Sequence, residues 1–172
     1  MNCLLFDDPM LTGFGPANGL AVRQIVSGGQ TGVDRAALDW AIDHGLPHGG
    51  WCPQGRRAED GKIDPQYQLK ETPLSQYVQR TEWNVRDSDG TVLVSLDGRL
   101  TAGTRQTLQF ARKHKKPCLH LARTVPIERS VTALRTFIRN HRIQTLNVAG
   151  SRDSDEPGVG EFVRTILDNA AD

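Results

Sequence analysis

The chain has 172 residues, of which 21 are lysine or arginine and 20 are aspartate or glutamate, so the formal net charge is +1. This length suffices for one domain with its own hydrophobic core. The near balance of charge gives no broad field for nucleic acid, and no apolar run approaches the roughly 20 residues that span a bilayer. We therefore expect a cytoplasmic protein without nucleic-acid or membrane partners, in which any anion site is local.

The N-terminal segment differs in composition from the rest of the chain, because it carries an acidic pair, Asp7 and Asp8, among Pro and Gly. We expect residues 1–20 to be a leader, loosely ordered or serving as an arm at an interface, and residues 21–172 to form one domain. Three cysteines without a C-x-x-C pair argue against a disulfide framework and a cysteine zinc site. The histidines lack ligand spacing, so no protein-built metal site is expected.

Short β-rich runs alternate with helical patterns along the rest of the chain, which is typical of a parallel sheet covered by helices on both faces. Segment 53–73 is polar, contains Pro and Gly, and is predicted to be irregular. Thr81 is predicted to cap the second helix. The predicted strands are 22–26, 48–52, 91–96, 116–121 and 145–149, and the predicted helices are 34–44, 81–88, 101–114, 127–140 and 158–170. The fold class is therefore predicted to be α/β, a doubly wound, Rossmann-like parallel sheet in a single domain.

The most informative motif, Val26-Ser-Gly-Gly-Gln-Thr-Gly-Val-Asp-Arg-Ala36, joins the first strand to the first helix. Its glycines let the backbone approach a ligand, and the following helix offers unpaired amides and the positive end of its dipole. The spacing matches neither the P-loop nor G-x-G-x-x-G. A phosphate-binding loop is predicted, formed by Ser27, Gly28, Gly29, Gln30, Thr31 and Gly32. The alternative is a tight turn that binds nothing.

Three other polar loops follow predicted strands, and in doubly wound sheets ligands bind outside the carboxyl ends of strands. In the loop after the second strand, Arg56 and Arg57 either clamp an anion or pair with Glu59 and Asp60. Segment 81–89 carries Asn84, Asp87 and Asp89, which either face the site or cap helix ends.

The remaining two loops add donors of a different kind. Thr101 and Thr104 open a helix, whose amino end either binds an anion or is simply capped. In the last loop, Asn147 and Glu156 can hold a hydroxylated or amide-bearing group while Arg152 adds positive charge. The alternative for that loop is an ordinary solvated turn.

Four motifs in this order resemble the molybdenum cofactor carrier family, within the SLOG superfamily of LOG-like, "lysine decarboxylase-like" Rossmann proteins. The motifs are Ser27–Arg35, Trp51–Gly61, Asn84–Gly90 and Asn147–Arg152. The resemblance implies a homo-oligomer, often a tetramer, that binds molybdenum cofactor (molybdopterin) or molybdate and passes it to a molybdoenzyme. It implies that the glycine loop holds the phosphate end, together with the residues Gly103, Thr104, Arg57, Glu59, Asn147 and Arg152.

LOG-like phosphoribohydrolases, which cleave nucleoside monophosphates, are the rival within this resemblance. Their P-G-G-x-G-T-x-x-E motif compares with Arg99–Thr107, which keeps Gly-Thr but has Thr107 where the glutamate is expected. Glycosidic cleavage needs a carboxylate beside the sugar. We therefore expect a noncatalytic carrier of a phosphorylated small molecule, with no catalytic residue. The alternatives are a nucleotide hydrolase that uses another acid, such as Asp34 or Glu59, and a nucleotide sensor.

Overall fold

The computed structural model describes residues 20–172, so the predicted leader, except for its last residue, lies outside the described residues. The strands are β1 (Gln24–Val26), β2 (His48–Gly49), β3 (Trp51–Cys52), β4 (Arg57–Ala58), β5 (Gly61–Lys62), β6 (Lys70–Glu71), β7 (Gly90–Ser95), β8 (Cys118–Ala122) and β9 (Thr145–Gly150). The helices are α1 (Val33–Asp43), α2 (Tyr77–Arg86), α3 (Ala102–Lys113), α4 (Ile127–His141) and α5 (Val159–Ala171).

Five of these strands form one parallel sheet in the order β2-β1-β9-β7-β8. Two small two-stranded sheets, β3-β6 and β4-β5, lie outside it. Strands β7 and β8 are buried along their whole length, as expected of strands covered on both faces. The predicted doubly wound, Rossmann-like fold is thereby confirmed.

Alternation along β7 separates the two faces of the sheet. Val92 and Val94 belong to the main core with residues of α1, α4 and α5, whereas Leu93 belongs to a second cluster with Val85 of α2 and Ala111 of α3. Successive side chains of a strand point to opposite faces. Helices α1, α4 and α5 therefore cover one face, and α2 and α3 cover the other.

The face of the sheet that the following helix covers changes between the neighbouring parallel strands β9 and β7. After β1 and after β9 the chain continues into α1 and α5 on the first face, whereas after β7 it continues into α3 on the second face. Adjacent strands that lead to opposite faces leave a crevice at their carboxyl ends, which is where ligands bind in open α/β sheets.

Three local predictions differ from the structure. Helix α2 begins at Tyr77 rather than at Thr81, whose hydroxyl donates to the Tyr77 carbonyl within the helix at 2.9 Å. The predicted strand 48–52 is two strands, because Gly50 has φ +124° and lies against the Ser27 backbone. Segment 53–73 contains the short strands β4, β5 and β6. Between residues 20 and 172, no helix has the length and apolar character needed to cross a membrane.

Candidate functional site

A cleft of about 470 Å³ lies in the crevice between β9 and β7. Four segments line it: the turn after β1 with the start of α1, one side of α2, the amino end of α3, and the end of β9 with the loop after it. The lining residues are Gln30, Asp34, Tyr77, Arg80, Thr81, Thr101, Ala102, Gly103, Gln106, Thr107, Ala149, Gly150, Arg152 and Asp155. Its volume lies in the range of small-molecule sites.

A buried ion pair forms one wall of the cleft. Arg80 Nη1 of α2 lies 3.1 Å from Asp34 Oδ2 of α1, and the two side chains are only 12% and 5% exposed. Burial raises the pKa of the Asp34 carboxyl, and the positive charge of Arg80 opposes that rise. Breaking such a pair leaves a buried group without its partner. The pair therefore ties α2 to the turn after β1.

The glycines of the β1 turn are packed against the protein itself. A Cβ at Gly28 would lie 1.9 Å from Arg80 Nη1, and a Cβ at Gly29 would lie 2.6 Å from Leu69 Cδ1. A Cβ at Gly32 would lie 2.6 Å from the Ser151 carbonyl oxygen. Gly29 and Gly32 both have φ +76°, a conformation that favours glycine. These close approaches account for the glycines without a ligand.

Hydrogen-bond donors of the same turn also have partners within the chain. The Gln30 amide donates to Asp34 Oδ2 at 3.3 Å, and the Thr31 amide donates to Gln30 Oε1 at 3.1 Å. The Ser27 hydroxyl donates to the Val148 carbonyl at 2.6 Å and links β1 to β9. The side chain of Gln30 reaches the cleft, while Thr31 bonds to Glu59 outside it. The donors of Ser27, Gln30 and Thr31 are therefore used within the chain.

The amino end of α3 is arranged differently. Thr101 caps the helix, because its Oγ1 accepts a hydrogen bond from the Thr104 amide at 3.4 Å, and the Arg105 amide donates to the Thr101 carbonyl at 2.9 Å. The backbone amides of Ala102 and Gly103 come before those of Thr104 and Arg105 in the helix, and both residues line the cleft. Thr104 itself is buried, with its hydroxyl bonded to the Thr101 carbonyl.

Two guanidinium groups lie over the ring of Tyr77 at the cleft. The Cζ atom of Arg80 is 5.8 Å from the ring centroid and that of Arg152 is 5.2 Å away. Arg152 has a partly exposed side chain, and its nearest carboxylate oxygen, on Glu59, is 4.0 Å away. Because Arg80 is neutralised by Asp34, Arg152 and the amino end of α3 are the positive elements that the cleft offers to an anion.

Glu59 does not line the cleft but joins three loops beside it. It accepts hydrogen bonds from the hydroxyls of Thr31 and Ser154, the latter at 2.5 Å, and these bonds lower its pKa. Its own amide donates to Gln30 Oε1 at 2.9 Å. The β4-β5 hairpin is thereby attached to the turn after β1 and to the loop after β9.

The two neighbouring arginines of segment 53–73 have different positions. Arg57 is an exposed residue of β4, outside the lining of the cleft. The guanidinium of Arg56 donates at 2.8–3.1 Å to carbonyls of the same segment, those of Ile63, Asp64, Tyr67 and Leu69. Arg56 therefore neither clamps an anion nor pairs with Glu59 and Asp60, because its guanidinium donates to carbonyls of its own segment.

Two asparagines that the sequence marked as candidates serve the framework. Asn147 of β9 is buried, and its Nδ2 donates to Thr91 Oγ1 of β7 at 3.1 Å. Asn84 of α2 pairs with the backbone of Trp51, whose amide donates to Oδ1 at 2.7 Å and whose carbonyl accepts from Nδ2 at 2.9 Å. Neither side chain lines the cleft.

Of the residues predicted to bind a ligand, Gln30, Thr101, Gly103 and Arg152 line the cleft. Sequence reasoning missed Tyr77, Arg80 and Gln106 as lining residues. Tyr77 and Arg80 lie in the first turn of α2, which the predicted helix omitted. No local pattern signals that Arg80 meets Asp34, because the two are far apart in the chain. In the described part of the chain, no group of three or more His, Cys, Asp or Glu residues is arranged to hold a metal ion.

Comparison with known proteins assigns the family. The model of the "Circularly permutated YpsA SLOG family" matches residues 25–171. The chain belongs to this family. The crystal structure of a protein named "Putative molybdenum carrier protein", from Syntrophus aciditrophicus SB, superposes with a TM-score of 0.87 at 45% identity, covering 90% of this chain and 98% of that one. No curated protein matches the chain.

Membership of the SLOG family confirms the superfamily that the four motifs indicated. The likeness to the protein with this name agrees with the narrower resemblance, because it extends over nearly the whole of both chains. The cleft described above lies entirely within the residues that the family model matches.

Proposed function

We propose that this chain is a carrier that binds a phosphorylated small molecule in the cleft between β9 and β7, with molybdenum cofactor as the cargo and molybdate as its smaller analogue. The supporting observation is the cleft itself, which has the size of a small-molecule site and two positive elements, Arg152 and the amino end of α3. The family, and a relative named as a molybdenum carrier, favour this cargo.

The chain's own groups suit a phosphorylated heterocycle. Arg152 provides a guanidinium for an oxyanion, and Gln106 provides a side-chain amide that can pair with the polar edge of a ring. Thr101, the N-cap of α3, and Thr107 of α3 also line the cleft. Binding in such a crevice would hold the cargo away from water until a recipient molybdoenzyme takes it.

A retention experiment tests the carrier function. The purified chain is mixed with molybdenum cofactor released from a donor molybdoenzyme, passed through gel filtration, and assayed for molybdenum by elemental analysis. We expect one molybdenum per binding site, and we expect the loaded protein to restore activity to a cofactor-free molybdoenzyme. Absence of both retention and transfer would contradict the proposal.

Arg152→Gln is the variant that tests the cleft. Because it removes a charge-assisted donor, we expect the dissociation constant for the cofactor to rise by about tenfold or more, with less effect at high salt. Arg129→Gln is the matched control, since Arg129 is an exposed residue of α4 outside the cleft lining. Titration calorimetry measures both, and equal affinities for the two variants would place the site elsewhere.

Hydrolysis of a nucleotide is the second candidate, and one observation favours it. Asp34 lines the cleft and has a pKa raised by burial, which suits a general base better than the pKa of Glu59, lowered by its hydrogen bonds. The carboxyl of Asp34 is, however, already bonded to Arg80 and to the Gln30 amide. Incubation with nucleoside monophosphates and chromatography for free base decides between the candidates, because turnover would exclude a purely noncatalytic carrier.

Assembly into a homo-oligomer is part of the proposal. Leu74 and Val78, which lie just before and within α2, are 50% and 43% exposed and favour an apolar contact between copies. Light scattering of the purified protein measures the oligomer directly, and a monomer at all concentrations would contradict this part.

A further inference from the structure

We propose that the acidic pair Asp7 and Asp8 of the leader binds a basic surface of its own chain, at the edge of the sheet where β1, β9, β7 and β8 begin. This surface, the basic edge, consists of the cations Arg23, Arg112, Lys113, Lys115, Lys116 and Arg142. It lies at the end of the sheet opposite to the cleft, so the inference is independent of the carrier function proposed above.

The basic edge is one continuous surface, because its strands are neighbours in the parallel sheet. The Arg23 amide donates to the Gln144 carbonyl at 2.8 Å, and the Gln144 amide donates to Asp89 Oδ2 at 3.0 Å. Lys116 Nζ donates to the Ser88 carbonyl at 2.7 Å. The segments that precede the four strands therefore lie side by side, across three strand spacings or roughly 15 Å.

Acidic residues of the described chain do not neutralise this surface. Glu82 pairs with Lys113, and Asp87 pairs with Arg86. Asp89 accepts hydrogen bonds from backbone amides. The members of the basic edge that form no ion pair among residues 20–172 are Arg23, Arg112, Lys115, Lys116 and Arg142. The edge therefore presents an excess of positive charge, which is complementary to an acidic segment.

Two of these cations occupy positions where glycine is the favoured residue. Helices α1, α3 and α4 end with the same pair of backbone hydrogen bonds, and the residue that donates the first bond has a positive φ. The angle is +64° at Gly45, +53° at Lys115 and +51° at Arg142. Lysine and arginine adopt this conformation less readily than glycine. The two helices that end on the basic edge thus have a positive charge in place of the favoured residue.

The leader has the complementary charge and joins the rest of the chain beside this edge. Residues 1–19, which lie outside the described residues, contain Asp7 and Asp8 and no lysine or arginine. Leu20 packs against the main core, and Arg23 soon after it belongs to the basic edge. Asp8 is 12 positions before Leu20, a length of chain that can reach about 40 Å and exceeds the width of the edge.

Attachment to the same chain makes a weak contact effective. A single ion pair at a protein surface contributes little free energy. Because the leader is covalently joined to the domain, the acidic pair has a high effective concentration at the basic edge. The contact also places two carboxylates near several cations, and such a network is more favourable than an isolated pair.

Carbodiimide cross-linking of the full chain, followed by mass spectrometry, tests the inference, because the reagent joins a carboxylate to a lysine amine only when the two are in contact. The chain has five lysines, of which three belong to the basic edge and two, Lys62 and Lys70, belong to segment 53–73. We expect Asp7 or Asp8 to be linked to a lysine of the basic edge. Links from the leader to Lys62 or Lys70 alone, or no link from the leader, overturn the inference.

A mixture of unlabelled and 15N-labelled protein, refolded together from urea, distinguishes contact within one chain from contact between copies. We expect each linked pair of peptides to be entirely light or entirely heavy. Linked pairs in which half join a light peptide to a heavy one overturn the inference, because the leader then binds the edge of another copy.

Lys115→Gly/Arg142→Gly removes two charges at positions that favour glycine. We expect the yield of leader links to the remaining lysines of the edge to fall by about threefold or more. The thermal unfolding midpoint should stay unchanged or rise, since the favoured backbone conformation of glycine offsets the lost interaction with the helix dipole. The matched control is Arg123→Gln/Arg129→Gln, which removes two exposed cations that follow β8 at the other end of the sheet. Equal yields in the two variants overturn the inference.

Discussion

The side chains of Asp34 and Arg80 pack against the glycine turn after β1, which the sequence predicts to bind an anion. The carboxyl group satisfies the Gln30 amide, and the guanidinium covers Gly28. The glycine pattern therefore serves close packing of the chain on itself as well as the approach to the cleft.

Loss of this pair should cost more stability than loss of a similar pair at the surface. We expect Asp34→Ala to lower the free energy of unfolding by about 3 kcal/mol, because it leaves Arg80 largely buried without its partner. Asp43→Ala is the control, since the Asp43–Arg164 pair has side chains that are 54% and 38% exposed and should contribute less than about 1 kcal/mol. Urea unfolding measures both, and similar losses would mean that the Asp34 pair is not a stabilising contact.

At the scale of an element, segment 53–73 is organised by one side chain. The guanidinium of Arg56 bonds to several carbonyls of the segment, and Ile63, Tyr67 and Leu69 of the same segment pack with Leu38 and Cys52. The segment is thus ordered although it has very little regular secondary structure. Its content of Pro, Gly and charged residues does not indicate this order.

Arg56→Ala should therefore loosen the whole segment. We expect a loss of about 2 kcal/mol or more in the free energy of unfolding and faster hydrogen exchange over residues 61–72, because four carbonyls of the segment lose their charged donor. Arg57→Ala is the adjacent control, and its exposed side chain predicts a change within about 0.5 kcal/mol. Unchanged exchange in the Arg56 variant would show that packing alone holds the segment.

For the whole molecule, stability depends on pH through groups on several elements. Burial lowers the pKa of His120 and His141, so their protonation is disfavoured in the folded state. Hydrogen bonds or ion pairs lower the pKa of the carboxylates Glu59, Asp60, Glu82 and Asp87.

Acid lowers the free energy of unfolding through both the histidines and these carboxylates, because in each case the unfolded chain binds protons more readily than the folded one. We expect the free energy of unfolding to fall in a first stage as pH decreases below about 6.5, where unfolded histidine titrates, and in a second stage below about 4. Urea unfolding from pH 8 down to about pH 3 measures the profile across both stages. In His120→Gln the first stage should shrink, and a native profile that is flat from pH 6.5 to pH 5 would contradict the assignment to buried histidine.

The sequence by itself determined the fold class, the main elements and the family. Runs rich in β-branched residues, such as 91–96, indicate strands buried on both faces, and helical spacing indicates the helices between them, because these patterns are local and periodic. The four motifs identified the SLOG superfamily for the same reason, since each is a short run of neighbouring residues.

Only the tertiary structure decided which candidates share the cleft. Asp34 and Arg80 meet across 46 positions, and Gly103 faces space while Gly28 faces a guanidinium. Asn147 turns into the sheet, whereas Arg152, a few residues later, reaches the cleft. Such outcomes depend on the direction of each side chain after distant elements have packed, and no local pattern of residues records that direction.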